Sequence, residues 1–185
     1  NGSEYHHMRI RDLATEQDSE EQVRDVGSFA WCADARSYLY VRVDENHRPN
    51  RVFYRPYGGG EQLIFHEEDP RFYVGLDRSL DGKWITIHTG QNDEDEVRLL
   101  RADDPTAEPI VIAPRRAGHE YSVDMRGDQL FITTNSDGSE NFRIMTASID
   151  APHESDWQEL VPHRSDVLLD GSFVRQDWIV HCPAS

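Results

Sequence analysis

Lysine is almost missing from this sequence. Lys83 is the single lysine among 19 basic residues, and 35 acidic residues outweigh them to a formal net charge of −16. A field of that sign repels nucleic acid and anionic membrane surfaces, so neither is expected as a partner. It attracts cationic ligands, basic peptides among them, and it also keeps a protein soluble. Cysteine is scarce too: Cys32 and Cys182 lie far apart in apolar runs, with no second ligand at metal-like spacing. Buried reduced thiols are expected rather than a disulfide framework or a metal centre, which suits a reducing cytoplasm. No apolar run approaches the roughly 20 residues of a membrane helix. Asn1 to His7 hold no basic region followed by an apolar stretch, so no secretory leader is expected there. Helical periodicity is lacking as well, except over Thr15 to Arg24, which reads better as a charged polar turn.

What is present is a repeated phrase. In RSLDGKWITIHTGQNDEDEVRLLRADDP, Arg78 to Pro105, a tight Asp81-Gly82 turn leads into the β-branched and aromatic run Trp84-Ile85-Thr86-Ile87. Four short patterns recur along the chain in fixed order. Pattern a is Ser28 to Trp31, Tyr73 to Leu76, Tyr121 to Asp124 and Leu168 to Gly171. Pattern b is Tyr38 to Val41, Trp84 to Ile87, Leu130 to Thr133 and Trp178 to Val180, at offsets of 46 to 48 residues. Pattern c is Arg51 to Tyr54, Glu96 to Leu99 and Asn141 to Ile144, with an earlier copy at Met8 to Ile10. Pattern d is Gln62 to Phe65, Pro109 to Ile112 and Gln158 to Val161, with a weaker first copy at Glu20 to Val23.

Short strands punctuated by Gly, Asp, Asn and Pro, without intervening helices, predict an all-β protein. Four strands every 40 to 50 residues are the signature of a β-propeller blade, in which stacking buries both faces of each four-stranded antiparallel sheet. The expected division is a half blade at 1–25, blades at 26–66, 72–113 and 120–162, and a half blade at 167–185. That strand count permits a four-bladed ring closed by pairing the first c with the last b. A stretch of a larger propeller is the other reading, and the one the ending after Cys182 favours.

Particular residues carry a resemblance. The segments GSFAWCADARSYLYV, EEDPRFYVGL, EVRLLRADDPTAEPIVIAPRRAGHEYSVD and DWQELVPHRSDVLLDGSF resemble the propeller domain of the oligopeptidase B branch of the prolyl oligopeptidase family of serine peptidases. The third is the most specific, with Arg115-Arg116 and His119-Glu120-Tyr121. The resemblance implies a seven-bladed propeller acting as a lid over a C-terminal α/β-hydrolase domain. It implies cleavage of short peptides after Arg or Lys by a Ser-Asp-His triad, with no cofactor. One departure is decisive. The G-x-S-x-G elbow of that hydrolase domain is not found around any serine here, so no catalytic residue can be assigned and this chain alone is expected to be inactive.

The candidates for substrate gating or domain docking lie on two d–a connections: Glu67, Glu68 and Asp69 in HEED, and Arg115, Arg116, His119 and Glu120 in PRRAGHEYS. The two arginines could pair with carboxylates of a partner domain or with acidic residues nearby. The run Gln91 to Glu96 lacks the central Gly and final Glu of a calcium loop and reads as a solvated b–c turn. No metal site is expected. His6 and His7 read as surface residues of the first c strand. Two rivals stand beside the peptidase reading. One is a non-enzymatic propeller serving as a protein-binding scaffold. The other is a glycosidase, for which Asp124 and Asp170 would be the acidic residues of the a strands.

Overall fold

The structure, a computed structural model, describes residues 5–175 and 178–184. Every regular element of substance in it is a β-strand; the helical content among the described residues is two single 3-10 turns, Ser136–Gly138 and Glu154–Asp156.

The hairpin β1 (His7–Asp12) and β2 (Gln17–Arg24) comes first. It is followed by β3 (Val26–Trp31), β4 (Ser37–Val43), β5 (Pro49–Pro56) and β6 (Gln62–His66), which lie side by side in that order. Next come β7 (Tyr73–Arg78), β8 (Trp84–Gln91), β9 (Glu94–Arg101) and the short β10 (Ile110–Val111), again in sequence order across one sheet. A third sheet holds β11 (Tyr121–Arg126), β12 (Gln129–Thr134), β13 (Arg143–Ser148) and β14 (Gln158–Val161). The hairpin β15 (Leu168–Arg175) and β16 (Trp178–Ala184) ends the series. The a-to-d patterns thus become three four-stranded antiparallel blades and two hairpins. Among the described residues β1–β2 and β15–β16 are each a two-stranded sheet.

Two expectations from sequence are corrected. Thr15 to Arg24 is mostly strand: the turn ends at Glu16, and β2 runs from Gln17. Its polar residues suit a strand with much of its length exposed. The acidic run 93–96 is not all turn either. Asn92 and Asp93 make the turn, and Glu94, Asp95 and Glu96 already belong to β9.

The chain forms two compact units, one of residues 1–78, 82–89 and 100–108, the other of 79–81, 90–99 and 109–185. In the first, β4 explains why a blade cannot stand alone. Residues 37–41 are buried without a break. Leu39 and Val41 point to one face and join a core with Ala30, Cys32, Val52, Val74, Leu76, Ile85 and Ile87. Tyr38 and Tyr40 point to the other and pack with Val23, Val26, Met8 and Ile10 around the β1–β2 hairpin. Period-2 alternation sends successive side chains to opposite faces, so an apolar run reports burial on both. Each fully buried aliphatic side chain contributes about 1.5–3 kcal/mol. Cys32 is a free, buried thiol whose pKa is raised by burial. Cys182 lies in β16, and its side chain is outside the described residues. The Asp81-Gly82 turn forms as its sequence predicts, with Gly82 at φ +72°. A Cβ there would meet the Arg78 guanidinium, which donates to the Gly82 carbonyl.

In the second unit Leu130, Ile132, Ile144 and Tyr121 are buried. A recurring contact ties first strands together within each unit. Ser28 Oγ on β3 accepts the Leu76 N–H of β7 at 3.1 Å, and Asp124 Oδ2 on β11 accepts the Val174 N–H of β15 at 2.8 Å. The first strand of a blade is a sheet edge, and these side chains occupy its outward-facing hydrogen-bonding groups.

Candidate functional site

The connection from β6 to β7 contains Glu67, Glu68 and Asp69. Strand β6 ends at His66 because the chain must turn there, and the Glu67 N–H is taken by the Asn50 carbonyl at 2.8 Å. Glu67 is 5% exposed, and its carboxylate accepts the Asp69 N–H at 2.9 Å, so it shapes the turn from inside. Asp69 accepts the Arg71 guanidinium at 2.7 Å, and its carbonyl accepts Arg48 Nη1 at 2.6 Å. Of the three acids only Glu68 is exposed. Phe72, fully buried just beyond them, anchors the return into β7.

The connection from β10 to β11 is built on Tyr121, the first residue of β11. Its hydroxyl donates to the Ala113 carbonyl at 2.7 Å and accepts the Val97 N–H at 2.7 Å, and burial pushes its pKa up to about 12. The hydroxyl therefore clamps both ends of segment 113–121 to β9. The intervening chain turns at Gly118, φ +74°, and the His119 N–H reaches back to the Arg116 carbonyl at 3.0 Å.

The four predicted residues on this connection do different things. Arg115 donates through its backbone N–H and guanidinium to the buried Glu96, at 3.2 and 3.3 Å, and Arg98 pairs with the same carboxylate. Arg116 is exposed and makes a two-pronged bond to Glu154, both contacts 2.7 Å. That pairing raises the Arg116 pKa and lowers that of Glu154. His119 is 2% exposed: its ring stacks on Tyr121 at 5.0 Å and lies 6.4 Å from Trp157, and Nε2 is 3.2 Å from Thr134 Oγ1. Burial, then the positive charge of Arg116, hold its pKa down. Glu120 is half-buried, with its N–H on Asn135 Oδ1 at 2.9 Å; burial and then Asp95 and Asp93 raise its pKa.

Both arginines thus find carboxylates within the second unit. Glu96, Glu154 and Trp157 complete this cluster; sequence placed Glu96 in a c pattern and an acidic turn without this role, and gave Glu154 and Trp157 none. Glu154 lies 38 residues from Arg116, and nothing local announces the pairing. Among the described residues no group of three or more His, Cys, Asp or Glu is arranged to hold a metal. Asp124 has both oxygens committed to backbone, Oδ1 to Met125 and Oδ2 to Val174. The Asp170 side chain lies outside the described residues. No helix of the described residues is long and apolar enough to cross a membrane.

The family described as prolyl oligopeptidase, N-terminal beta-propeller domain, matches residues 1–184. Dipeptidyl aminopeptidase BI of Pseudoxanthomonas mexicana is 35% identical over 176 residues, which cover 92% of this chain and 24% of that protein. Protease 2 of Moraxella lacunata is 28% identical over 198 residues, covering 97% and 29% respectively. Among solved structures, oligopeptidase B from Leishmania major superposes with a TM-score of 0.89 at 27% identity, over 97% of this chain and 26% of that one. The chain spans about a quarter of the length of the curated relatives it matches.

Proposed function

The chain belongs to the N-terminal β-propeller family of the prolyl oligopeptidases, and from that premise we propose that it is the gating portion of a serine oligopeptidase that hydrolyses short peptides after basic residues. The observation that carries the reading is the match to protease 2 and oligopeptidase B over 97% of the chain, in a propeller with a net charge of −16. A second, α/β-hydrolase domain supplies the triad, and the propeller restricts access to it. The chemistry needs no cofactor. The protein works in the cytoplasm. In this reading the connections at 67–69 and 115–120 face the second domain or the incoming peptide. Glu68 and Arg116 are their exposed charges, and the buried Glu67 and His119 fix the backbone that presents them.

The test is a set of reporter peptides given to the full-length protein. Reporters with Arg or Lys before the scissile bond should be cleaved, those with Ala or Pro there far more slowly, and a serine-directed inhibitor should abolish both. The relative named dipeptidyl aminopeptidase makes one further contrast informative. Cleavage of an Arg reporter with a blocked N-terminus supports an endopeptidase, whereas strict dependence on a free N-terminus two residues away points to dipeptide release. The isolated chain, lacking a G-x-S-x-G elbow, should give no turnover above buffer. A full-length protein with no hydrolytic activity would sink the proposal in favour of a binding scaffold.

A further inference from the structure

Within the first unit, the β1–β2 turn, the β3–β4 turn and the β5–β6 turn surround a groove of about 750 Å³. It lies at the end of the β3–β6 sheet away from Glu67 to Asp69, because the β5–β6 turn and the β6–β7 connection leave opposite ends of β6. Two aromatic rings line it. Trp31 is half-buried and held edge-on against Tyr38 at 5.6 Å, while Tyr38 is itself fixed by its hydroxyl bond to Glu21 at 2.7 Å. Tyr57 is 53% exposed beside it.

Three carboxylates share the lining: Asp12, Asp18 and Asp34. Asp18 pairs with Arg11 at 2.8 Å. The other two are anchored by their own turns, Asp12 by N–H groups and Asp34 by N–H groups, by the Ser37 hydroxyl at 3.0 Å from each of its oxygens and by the nearby Arg36 charge. Asp12 Oδ1 accepts from Ala14 and Thr15, at 2.7 and 2.9 Å, and Asp34 Oδ1 accepts from Arg36 and Ser37, both at 2.9 Å. Among the described residues neither forms an ion pair. These N–H donors, Thr15 first for Asp12 and Arg36 first for Asp34, hold both carboxyls below the ordinary carboxylate value.

Fixed, ionised carboxylates beside aromatic faces are the recognition chemistry of a guanidinium on an apolar stem. The ring takes the cation by its quadrupole and packs the methylenes, and the carboxylate takes the N–H fork. Anchoring by backbone donors means little is reorganised when a ligand arrives. Arg36 contributes one opposing charge at the rim. These 185 residues carry a net −16, which favours a cationic occupant. We infer that this groove is a non-catalytic docking site for an arginine-bearing peptide segment, with Trp31 and Tyr57 as the platform and Asp12 and Asp34 as the counter-charges. The site stands or falls independently of whether the parent protein is a peptidase.

The probe is a diarginine peptide blocked at both ends, with its dicitrulline counterpart as the uncharged control, added to the full-length protein after treatment with a covalent serine-directed inhibitor, so that neither cleavage nor binding at a peptidase site contributes. Amide hydrogen exchange should slow within 12–19, 31–36 and 56–57 with diarginine and not with dicitrulline. Asp12→Asn keeps the acceptor for the Ala14 and Thr15 amides, and Tyr57→Ser alters an exposed side chain, so both variants should fold. Each should weaken diarginine binding by calorimetry roughly three- to tenfold. Protection confined to other segments, equal binding by wild type and both variants, or equal binding of dicitrulline would each overturn the site. Loss of peptidase activity with protection intact would overturn the proposed function and leave the groove standing.

Discussion

His119 is a titratable ring in a place made for a neutral one. It stacks on Tyr121, lies beside Trp157, has Arg116 close by, and its Nδ1 has no hydrogen-bond partner. Glu154, Asp95 and Asp137 pull the other way, but burial leads and the folded-state pKa is lowered. Below about 6.5, the ordinary value, the unfolded chain therefore binds a proton that the folded one resists. The stability His119 contributes is complete above that pH and is lost as the pH falls from there towards the folded-state value. Amide exchange in segment 113–121, corrected for its intrinsic pH dependence, should accelerate between pH 7 and 5, and His119→Phe should flatten the trend. An identical slope in both proteins would show that protonation of His119 is not the source of the trend. Tyr121 is the second testable residue. Tyr121→Phe leaves the buried Ala113 carbonyl and the Val97 N–H without the shared hydroxyl, at a cost of about 1–3 kcal/mol. Exchange at Val97 should rise accordingly. None of this was legible in HEYS as a string, since stacking and clamping depend on β9 and on Trp157, both distant in sequence.

Strands were read from the sequence to the extent that their faces were both buried or cleanly alternating. Residues 38–41 and 130–133 show an unbroken apolar or β-branched run because a neighbour covers each side, and β4 and β12 appear where that run predicts. β2 escaped because its exposed positions carry Gln, Asp and Glu, which read as turn. The start of β9 escaped for a related reason: an acidic run looks solvated until Arg98 and Arg115 are seen around Glu96. β10 is only two residues, shorter than the pattern implied. The contacts between first strands were invisible, since Ser28 and Asp124 carry no motif. Each should nonetheless be measurable. Ser28→Ala and Asp124→Ala should destabilise by about 1 kcal/mol each. Asp124→Asn, which retains an oxygen acceptor, should cost less. Faster exchange at Leu76 and Val174 in the respective alanine variants is the expected readout. If Asp124→Ala left Val174 unaffected, the bond between the two strands would carry no weight.

At the scale of the whole molecule, composition forecast an acidic, all-β repeat, and the family match agrees with it. The charge is less uniformly available than the count suggests. Every arginine is already counted in the −16, so pairs such as Arg42–Glu61, Arg55–Glu21 and Arg71–Asp69 leave it unchanged and decide only where the unpaired acids lie. Electrostatic steering of basic peptides would depend on what remains exposed, so the acids of 67–69 should behave unequally. Under the proposed function, Glu68→Gln in the full-length protein should lower kcat/KM for dibasic peptides by less than about twofold at low salt, and the difference should vanish as salt screens the field. Glu67→Gln should instead loosen the 66–72 turn, with an effect that salt does not remove. Equal, salt-insensitive behaviour of both variants would assign these acids to structure alone.

The bonds from Ser28 to Leu76 and from Asp124 to Val174 span 48 and 50 residues. A ribosome adds residues at about 5–20 per second, so the acceptor side of each bond leaves the exit tunnel roughly 2–10 s before its donor does. During that interval only a side-chain acceptor waits, because the backbone edge that these bonds cover belongs to β7 and β15, which emerge with their acceptors already in place. Local hairpin pairing, at microseconds, is complete long before. The pace at which these acceptors meet their donors is thus set by translation and not by folding. Slow codons between residues 32 and 76, or between 128 and 174, lengthen only the wait of the acceptors and should lower the soluble yield no more than the same codons placed within a single blade's hairpins.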